Sequence, residues 1–253
     1  MLRQTIAFIT RYFNAFFVIY ALLTSTNIYA SEWKTISQGI EYRDLGLNML
    51  TPWSHIHVFR IDLKYNLLDL TLAPDLGKKL ASVDELALHS HGKIAINGGF
   101  FDATYRPLGL RIGHHHQYSP IKPISWWGVF SIKDQKARVS KFNEINTNAL
   151  DFAIQSGPRL LINGKIPALK QGIAERTALG ITADGHVIIL ATDHMPLTTN
   201  ALATLMKSFP LSCQHALNLD GGSSTQLYAQ LGLFQLSSPG FSLITDAVIV
   251  KPR

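Results

Sequence analysis

The sequence predicts an α+β protein, a single domain with a curved, mostly antiparallel sheet core and a few helices. Short segments that alternate between apolar and polar residues dominate the chain, and turn signals join several of them. Helical signals are confined to two segments. A chain of 253 residues, 47% hydrophobic and 16% charged, is long and apolar enough to bury such a core.

Alternation or a short apolar run predicts the strands, which are expected at residues 55–63, 68–72, 93–96, 126–132, 137–142, 151–155, 177–182, 186–192, 215–219 and 243–250. Asn163-Gly164 is a two-residue hairpin signal. Ala183-Asp184-Gly185 predicts a second hairpin, between residues 177–182 and 186–192. These turns favour antiparallel neighbours over parallel ones.

Two helices are predicted. Ser82-Val83-Asp84-Glu85 matches the sequence pattern of a capping box, so a short helix is expected to begin there. The longer helix is expected at Thr199–Phe209, because its apolar residues recur on one face and Pro210 follows.

The N-terminus is typical of a signal peptide covering residues 1–30. Arg3 and Arg11 precede or flank the apolar run Tyr12–Leu23, no acidic residue occurs before Glu32, and small Ala30 suits a cleavage site. A membrane anchor is the alternative, but the run is shorter than the roughly 20 apolar residues that a span needs. We therefore expect a mature domain at 31–253, periplasmic or secreted, with no stable membrane span after cleavage.

Charge and cysteine content narrow the function classes. The formal net charge is +6, and removal of residues 1–30 leaves +4 with no run of Lys or Arg, so no nucleic acid partner is predicted. An anionic small substrate remains compatible with this charge. Cys213 is the single cysteine, which excludes an intramolecular disulfide and favours a buried packing thiol over a nucleophile. The oligomeric state stays open.

Two glycine corners of the same design are the strongest functional signal. The first, Asn97-Gly98-Gly99, follows the predicted strand at 93–96, and the second, Asp220 to Thr225, follows the strand at 215–219. Paired glycines permit backbone angles closed to other residues and let a ligand approach the main chain. Two ordinary tight turns are the alternative. The repetition of one design favours a functional site.

These corners resemble those of the phosphodiester glycosidase family. The segments that carry the resemblance run from about residue 45 to the C-terminus, and the second corner is the most specific of them. They are Ile96 to Phe101, Gln155-Ser156-Gly157-Pro158, Arg176 to Gly180, Leu190 to Asp193 and Ala216 to Thr225. The sequence departs from the family at His194, where the family usually has glycine.

The resemblance implies hydrolysis of a sugar C1–O bond in which a phosphate monoester leaves. The expected partner is a phosphorylated glycan or sugar-phosphodiester, such as an N-acetylglucosamine-1-phosphodiester of an envelope or exopolysaccharide. A phosphate leaving group needs charge stabilisation more than proton donation. No cofactor is expected, while a bound divalent cation and its ligands are left open.

The candidate catalytic residues are Asp220, Arg176 and Asn97. Asp220 is expected to face the positive charge that develops at the sugar carbon, Arg176 to pair with phosphate in a fork, and Asn97 to position the substrate. Asp102 and Asp193 are the reserves for the carboxylate role, and Glu175 is a weaker candidate. The candidate substrate-binding residues are Gly98, Gly99, Asp102, Ser156, Gly157, Asp193, Gly221, Gly222, Ser223, Ser224 and Thr225.

Two other functions stay open at this stage. A metal-dependent phosphodiesterase would cleave P–O with Asp102, Asp193, Asp220 and histidines as ligands, and a glycan-binding module would need aromatic residues but no acid. A serine nucleophile is disfavoured because no Gly-x-Ser-x-Gly elbow occurs. Residues 114–116, three histidines, are expected to form a solvated hairpin tip, and Trp126 and Trp127 to alternate in a strand, one inward and one outward.

Overall fold

The computed structural model describes residues 32–46 and 51–253, and Trp33–Arg253 form one compact unit. The predicted signal peptide, residues 1–30, lies outside the described residues and stays a prediction. No helix within the described ranges is long and apolar enough to cross a membrane.

The described chain is built mainly from strands. In chain order they are β1 Lys34–Ser37, β2 Ile40–Asp44, β3 His55–Ile61, β4 Asn66–Leu72, β5 Ile94–Asn97, β6 Arg111–Gly113, β7 His116–Ser119, β8 Gly128–Lys133, β9 Lys136–Ser140, β10 Phe152–Ser156, β11 Arg159–Leu161, β12 Ile173–Ala174, β13 Thr177–Thr182, β14 Val187–Asp193, β15 Leu197–Thr198, β16 Cys213–Asn218, β17 Leu227–Leu231, β18 Phe234–Ser238 and β19 Asp246–Pro252.

The strands form three larger sheets and one small one. Sheet I has the order β1-β2-β3-β14-β13-β16-β11, sheet II β7-β6-β10-β8-β9, and sheet III β18-β17-β5-β19-β4, while β12 pairs with β15. The described strand pairs are antiparallel, so the predicted antiparallel core is confirmed.

The prediction of one curved sheet is wrong: there are several sheets, and none is closed or strongly curled. The reason lies in strands that are buried on both faces, such as β14. Its residues Val187, Ile189 and Ala191 enter a central core shared by the three sheets, whereas Ile188 and Leu190 enter a second core. Separate stacked layers therefore bury what one curved sheet would leave exposed.

Two α-helices occur within the described residues. The first, α1 (Val83–His89), begins with the predicted capping box: Glu85 N donates to Ser82 Oγ at 3.3 Å, and Ser82 N donates to the Glu85 carboxylate at 3.0 Å. Both of these amides would otherwise lack an intrahelical partner, which is why the helix begins there.

The second helix, α2 (Thr199–Lys207), packs Leu202, Ala203 and Met206 into the second core. Its N-cap is Thr198, whose hydroxyl accepts a hydrogen bond from Ala201 N at 3.0 Å. The helix ends two residues earlier than predicted because Ser208 is already extended. Shorter 3-10 turns lie at Ala73–Leu76 and Gly222–Ser224.

The predicted hairpin turns are confirmed. Asn163 and Gly164 have φ of 50° and 69°, and His114 and His115 at the tip between β6 and β7 have φ of 49° and 57°. Positive φ at both central residues is the geometry of a two-residue turn that suits twisted strands. Gly185, with φ of 90°, lies in the turn between β13 and β14.

The tryptophan pair lies outside the strand in which it was predicted. Strand β8 begins at Gly128, and Trp127 N instead donates to Ile124 O at 3.2 Å in the preceding turn. The inward and outward split is confirmed, because Trp127 is 5% exposed and Trp126 is 57% exposed. The turn, and not strand alternation, produces this split.

Candidate active site

The two glycine corners meet in space. Asp220 N donates to Gly98 O at 3.2 Å, and Asn97 Nδ2 donates to Asp220 O at 2.8 Å. Asn97 is the last residue of β5 in sheet III, and Asp220 follows β16 of sheet I. Strand ends from two sheets therefore form one site.

Asn97 holds this junction together. Its Oδ1 accepts hydrogen bonds from Thr177 Oγ1 at 2.6 Å and from Gln226 N at 3.2 Å, while its Nδ2 donates to Asp220 O. The side chain is fully buried. The Asn97 amide thus connects both corners to β13 by hydrogen bonds. This structural role explains why the position is an asparagine.

A buried ion pair beneath the first corner explains its glycines. Arg111 Nε lies 3.1 Å from Asp246 Oδ1, and both side chains have no exposed surface. A Cβ at Gly98 would lie 1.7 Å from Asp246 Oδ1, and one at Gly99 would lie 2.4 Å from Arg111 Nη2. Only residues without a Cβ fit over this pair, so packing from below requires the glycines.

Sequence reasoning missed Arg111 and Asp246. A signal for each was present, since Arg111 lies between Leu110 and Ile112 in an apolar setting and Asp246 begins an apolar strand. A charged residue in such a run is rarely buried unless it is paired. Nothing in the sequence shows that these two residues, 135 positions apart, are each other's partners.

Asp220 lies half-buried at the junction. Its Oδ1 accepts a hydrogen bond from Gly221 N at 2.8 Å. Burial raises the pKa of the Asp220 carboxyl, and the charge of Asp246 adds to this rise. A side-chain hydrogen bond from Ser224, the Gly221 amide and the Arg111 charge act in the opposite direction. A carboxyl with a raised pKa beside two glycine corners is a candidate catalytic group.

The backbone amides of the corners are already occupied. Gly98 N donates to Asp246 O at 2.8 Å, Gly221 N to Asp220 Oδ1, and Gly222 N to Glu175 O at 2.8 Å. In this conformation these amides are engaged within the protein, and the assignment of Gly98, Gly99, Gly221 and Gly222 to substrate binding stays a prediction. Gly222 has a φ of 62°, a backbone angle that favours glycine.

The hydroxyls of the second corner differ in environment. Ser223 is exposed, and Ser224 is buried and lowers the pKa of the Asp220 carboxyl through a side-chain hydrogen bond. Thr225 Oγ1 is buried and has no hydrogen-bond partner within the described part of the chain. Their assignment to substrate binding stays a prediction. Ser224 has an evident second role, because its hydrogen bond favours the ionised form of Asp220.

Glu175 and Arg176 lie directly against the second corner. The Glu175 carboxylate accepts a hydrogen bond from Thr192 Oγ1, which places a second acid beside Asp220's loop. Arg176 Nε donates to Leu197 O at 2.9 Å, and its Nη2 donates to Thr199 Oγ1 at 3.2 Å. Burial lowers the Arg176 pKa. These bonds hold Arg176 on neighbouring chain segments, and its pairing with phosphate stays a prediction.

Ser156 and Gly157 adjoin the second corner through Asn218. Asn218 Nδ2 donates to Gly157 O at 3.0 Å, and Asn218 lies two residues before Asp220. A Cβ at Gly157 would lie 2.5 Å from Trp127 Cδ1, so the glycine lets the indole pack on the main chain. Ser156 Oγ is buried and has no hydrogen-bond partner among the residues that the structure describes.

Asp102 and Asp193 have hydrogen bonds outside the two corners. Asp102 Oδ1 accepts from Thr104 N at 2.8 Å and Arg106 N at 3.1 Å, and the Thr104 hydroxyl is the main cause of its lowered pKa. Asp193 Oδ1 lies 2.7 Å from His194 Nδ1. Asp102 thus organises an exposed loop, and its predicted substrate role, like that of Asp193, stays a prediction.

A polar cluster lies at the end of sheet I near Asp193. His55 Nδ1 lies 2.6 Å from Asp44 Oδ2, and Tyr42 Oη lies 2.9 Å from His57 Nδ1. Asp193 of β14 lies opposite His55 of β3 in the antiparallel register. Burial lowers the pKa of His57 to about 4, so this histidine is neutral at neutral pH. The cluster was not identified from the sequence as part of the site.

Two of the three hairpin histidines approach an acid. His114 Nδ1 lies 2.7 Å from Asp69 Oδ2, and His115 Nδ1 lies 3.6 Å from Asp151 Oδ1. Within residues 32–46 and 51–253, no group of three or more His, Cys, Asp or Glu side chains is arranged to hold a metal ion.

Cys213 is predicted to be unreactive in the folded protein. The thiol is buried, and burial raises its pKa to about 12, so almost none of the nucleophilic thiolate exists at pH 8. We expect Cys213 to react with a chromogenic disulfide reagent only after denaturation. Cys213→Ala should retain activity; rapid native labelling coupled to inactivation would contradict this.

Comparisons with known proteins identify the family of the chain. A profile of the phosphodiester glycosidase family matches residues 90–251, more than half of the chain. The protein YigE of Escherichia coli (strain K12) is 31% identical over 118 residues, which cover 41% of this chain and 46% of YigE. This match thus spans about half the length of that relative.

Solved structures share the fold at low identity. The catalytic domain of zebrafish N-acetylglucosamine-1-phosphodiester alpha-N-acetylglucosaminidase, auto-inhibited by its pro-peptide, superposes with a TM-score of 0.63 at 18% identity, covering 90% of this chain and 85% of that one. A hypothetical protein from Synechocystis has a TM-score of 0.63 at 16% identity, covering 89% of this chain and 64% of that one. By its family match, this chain belongs to the phosphodiester glycosidase family.

Proposed function

We propose that this protein hydrolyses the C1–O bond of a sugar-1-phosphodiester, with Asp220 as the central catalytic carboxylate. The observation that carries the proposal is the position of Asp220, half-buried where the two glycine corners meet and with a raised pKa. The family match supports a sugar-phosphodiester as the substrate class.

Asp220 and Glu175 supply the carboxylates that such a reaction uses. Gly222 N donates to Glu175 O, so Glu175 flanks the loop that carries Asp220. In our proposal the ionised Asp220 stabilises the cationic sugar carbon in the transition state. Glu175 is the second acid for activating water, since its carboxylate is held in place by Thr192. A phosphate monoester leaves with little need for a proton.

The phosphate is proposed to lie on the outer side of the second corner. The amides of Gly98, Gly221 and Gly222 are occupied, which leaves the exposed Ser223 hydroxyl and the remaining nitrogen of Arg176 as donors. Hydroxyls and a guanidinium bind phosphate oxygens well. We further propose that the mature protein acts in the periplasm or outside the cell, on envelope or exopolysaccharide glycans.

The position of bond cleavage tests this function. The purified protein is incubated with an N-acetylglucosamine-1-phosphodiester in water enriched in oxygen-18, with and without chelator. C1–O cleavage puts the label into the sugar and leaves the phosphate product unlabelled. The phosphate product is the better readout, because the anomeric oxygen of a free sugar also exchanges with water.

Each alternative gives a different result in the same experiment. Label in the phosphate, together with activity lost in chelator, would establish a metal-dependent phosphodiesterase and overturn the proposal. Binding of the diester without turnover would favour a glycan-binding protein. Mass measurement of the mature N-terminus from the native host tests cleavage after Ala30.

A further inference from the structure

Three buried polar atoms beside the site lack hydrogen-bond partners within the described residues. They are Ser156 Oγ, Asn218 Oδ1 and Trp127 Nε1, on residues that are 0%, 4% and 5% exposed. Buried polar groups in folded proteins nearly always have a partner, because leaving one unsatisfied is costly. A cluster of such atoms at one place indicates a ligand whose own polar groups supply the missing hydrogen bonds.

The three atoms lie on residues that are neighbours in space. Ser156 is bonded to Gly157, whose carbonyl accepts from Asn218 Nδ2 at 3.0 Å. A Cβ at Gly157 would lie 2.5 Å from Trp127 Cδ1, the ring carbon next to Nε1. We name Trp127, Ser156, Gly157 and Asn218 the polar niche.

The niche adjoins both glycine corners. Asn218 Nδ2 also donates to Leu219 O at 2.5 Å, directly before Asp220. The ring of Phe100, next to Gly99, lies 5.4 Å from the Trp127 ring between centroids. The niche therefore lies beside Asp220, the catalytic carboxylate of the proposed function.

An exposed aromatic plane lies at the rim of the niche. Trp126 is 57% exposed, and its ring is nearly perpendicular to that of Trp127, at 89° with centroids 5.7 Å apart. A sugar ring presents hydroxyls at its edge and C–H groups on its faces. The niche offers an indole donor, an amide acceptor and a hydroxyl for the edge, and Trp126 offers an apolar surface for a face.

We propose that the polar niche and Trp126 bind the neutral sugar ring whose C1–O bond is broken, and so determine sugar specificity. This inference rests on the proposed function for the identity of the reacting ring. An anion is the competing ligand, because the Arg159 side chain contacts Gly128, the residue after Trp127. The Nε of Arg159 is also buried and has no hydrogen-bond partner within the described residues. The tests below include inorganic phosphate for that reason.

Binding to the niche is measured without turnover. The protein contains four tryptophans, so the proton–nitrogen correlation spectrum of nitrogen-15-labelled protein has only four indole N–H signals to assign. Loss of one signal in Trp126→Phe and of another in Trp127→Phe assigns these two residues. The methyl α-glycosides of glucose, mannose and N-acetylglucosamine are titrated separately, and then inorganic phosphate. We expect at least one glycoside to shift the Trp127 Nε1–H signal and phosphate to leave it in place.

Two variants separate recognition from folding. Ser156→Ala removes a hydroxyl that has no partner among residues 32–46 and 51–253, so Tm should stay unchanged or rise. The substitution should weaken affinity for the shifting glycoside about fivefold, the value of one neutral hydrogen bond. Trp126→Ala should raise KM for the sugar-1-phosphodiester about tenfold with a smaller effect on kcat. Phe209→Ala, an exposed aromatic at the end of α2 with 85% exposure, is the matched control.

The outcomes distinguish this inference from the proposed function. A glycoside-dependent shift without C1–O hydrolysis would leave the niche standing and refute the proposed function. Turnover with no shift of Trp127 by any of the three glycosides would overturn the niche. A shift with phosphate alone would also overturn the inference and assign the polar niche to an anion. A Ser156→Ala variant that loses both affinity and Tm would overturn it as well, because the hydroxyl would then support the fold.

Discussion

Asp220→Asn is expected to lower kcat on the order of 10³-fold while Tm stays the same or rises. The activity falls because the amide carries no charge to oppose the developing cation. Tm does not fall because the Asn oxygen can still accept from Gly221 N, and the substitution removes a charge that the site disfavours. Steady-state kinetics and thermal unfolding at pH 7 measure the two effects.

The sign of the stability effect follows from linkage. Burial raises the pKa of Asp220 in the folded state above the ordinary value of 3.8, so the folded state holds the proton more tightly than the unfolded chain. Stability therefore falls as pH rises from 3.8 through the folded pKa, and the cost persists at neutral pH. Asp62→Asn, whose Oδ1 accepts a hydrogen bond from Lys64 N at 2.9 Å in the turn after β3, is the control. A large drop in Tm of Asp220→Asn would mean that the residue is structural.

The pH profile reports the same carboxyl. A stabilising role requires the ionised form, so kcat/KM should fall on the acidic side through an apparent pKa above 3.8. Ser224→Ala removes a hydrogen bond that lowers this pKa and should move the acidic limb to higher pH. Ser223→Ala should leave its position unchanged. A Ser224-dependent limb on the alkaline side would instead make Asp220 a general acid.

Asp246→Asn is expected to cost about 3–5 kcal/mol of the free energy of unfolding, the largest stability loss that we predict. The substitution leaves the fully buried Arg111 guanidinium without its charge partner. It also disturbs the first corner, because Gly99 N donates to Asp246 Oδ1 at 3.3 Å. Urea unfolding followed by circular dichroism measures the loss. Glu41→Gln, in the partly exposed pair with Arg60, should cost under about 1 kcal/mol.

A double substitution identifies the cause of that loss. If the penalty is the uncompensated Arg111 charge, Arg111→Met combined with Asp246→Asn should recover a large part of the stability. Additive losses in the double variant would contradict this explanation. Activity need not return with stability, because the guanidinium also donates to Gln155 O at 2.9 Å and orders the surrounding loops.

The local elements were readable from the sequence because their causes are local. The capping box at Ser82, the two-residue turn at Asn163 and the hairpin of β13 and β14 each depend on residues a few positions apart. The two glycine corners were visible for the same reason. Their resemblance to the phosphodiester glycosidases was enough to identify the family.

The sequence by itself thus determined ten of the nineteen described strands, both helices, the two corners and the family. Tertiary structure alone decided that several sheets share the core, that Asp246 and Arg111 pair beneath Gly98, and that the corner amides already have acceptors. These features join residues far apart in the chain. Periodicity and turn chemistry report only neighbours, whereas such contacts depend on how the finished sheets pack, and no local pattern contains that information.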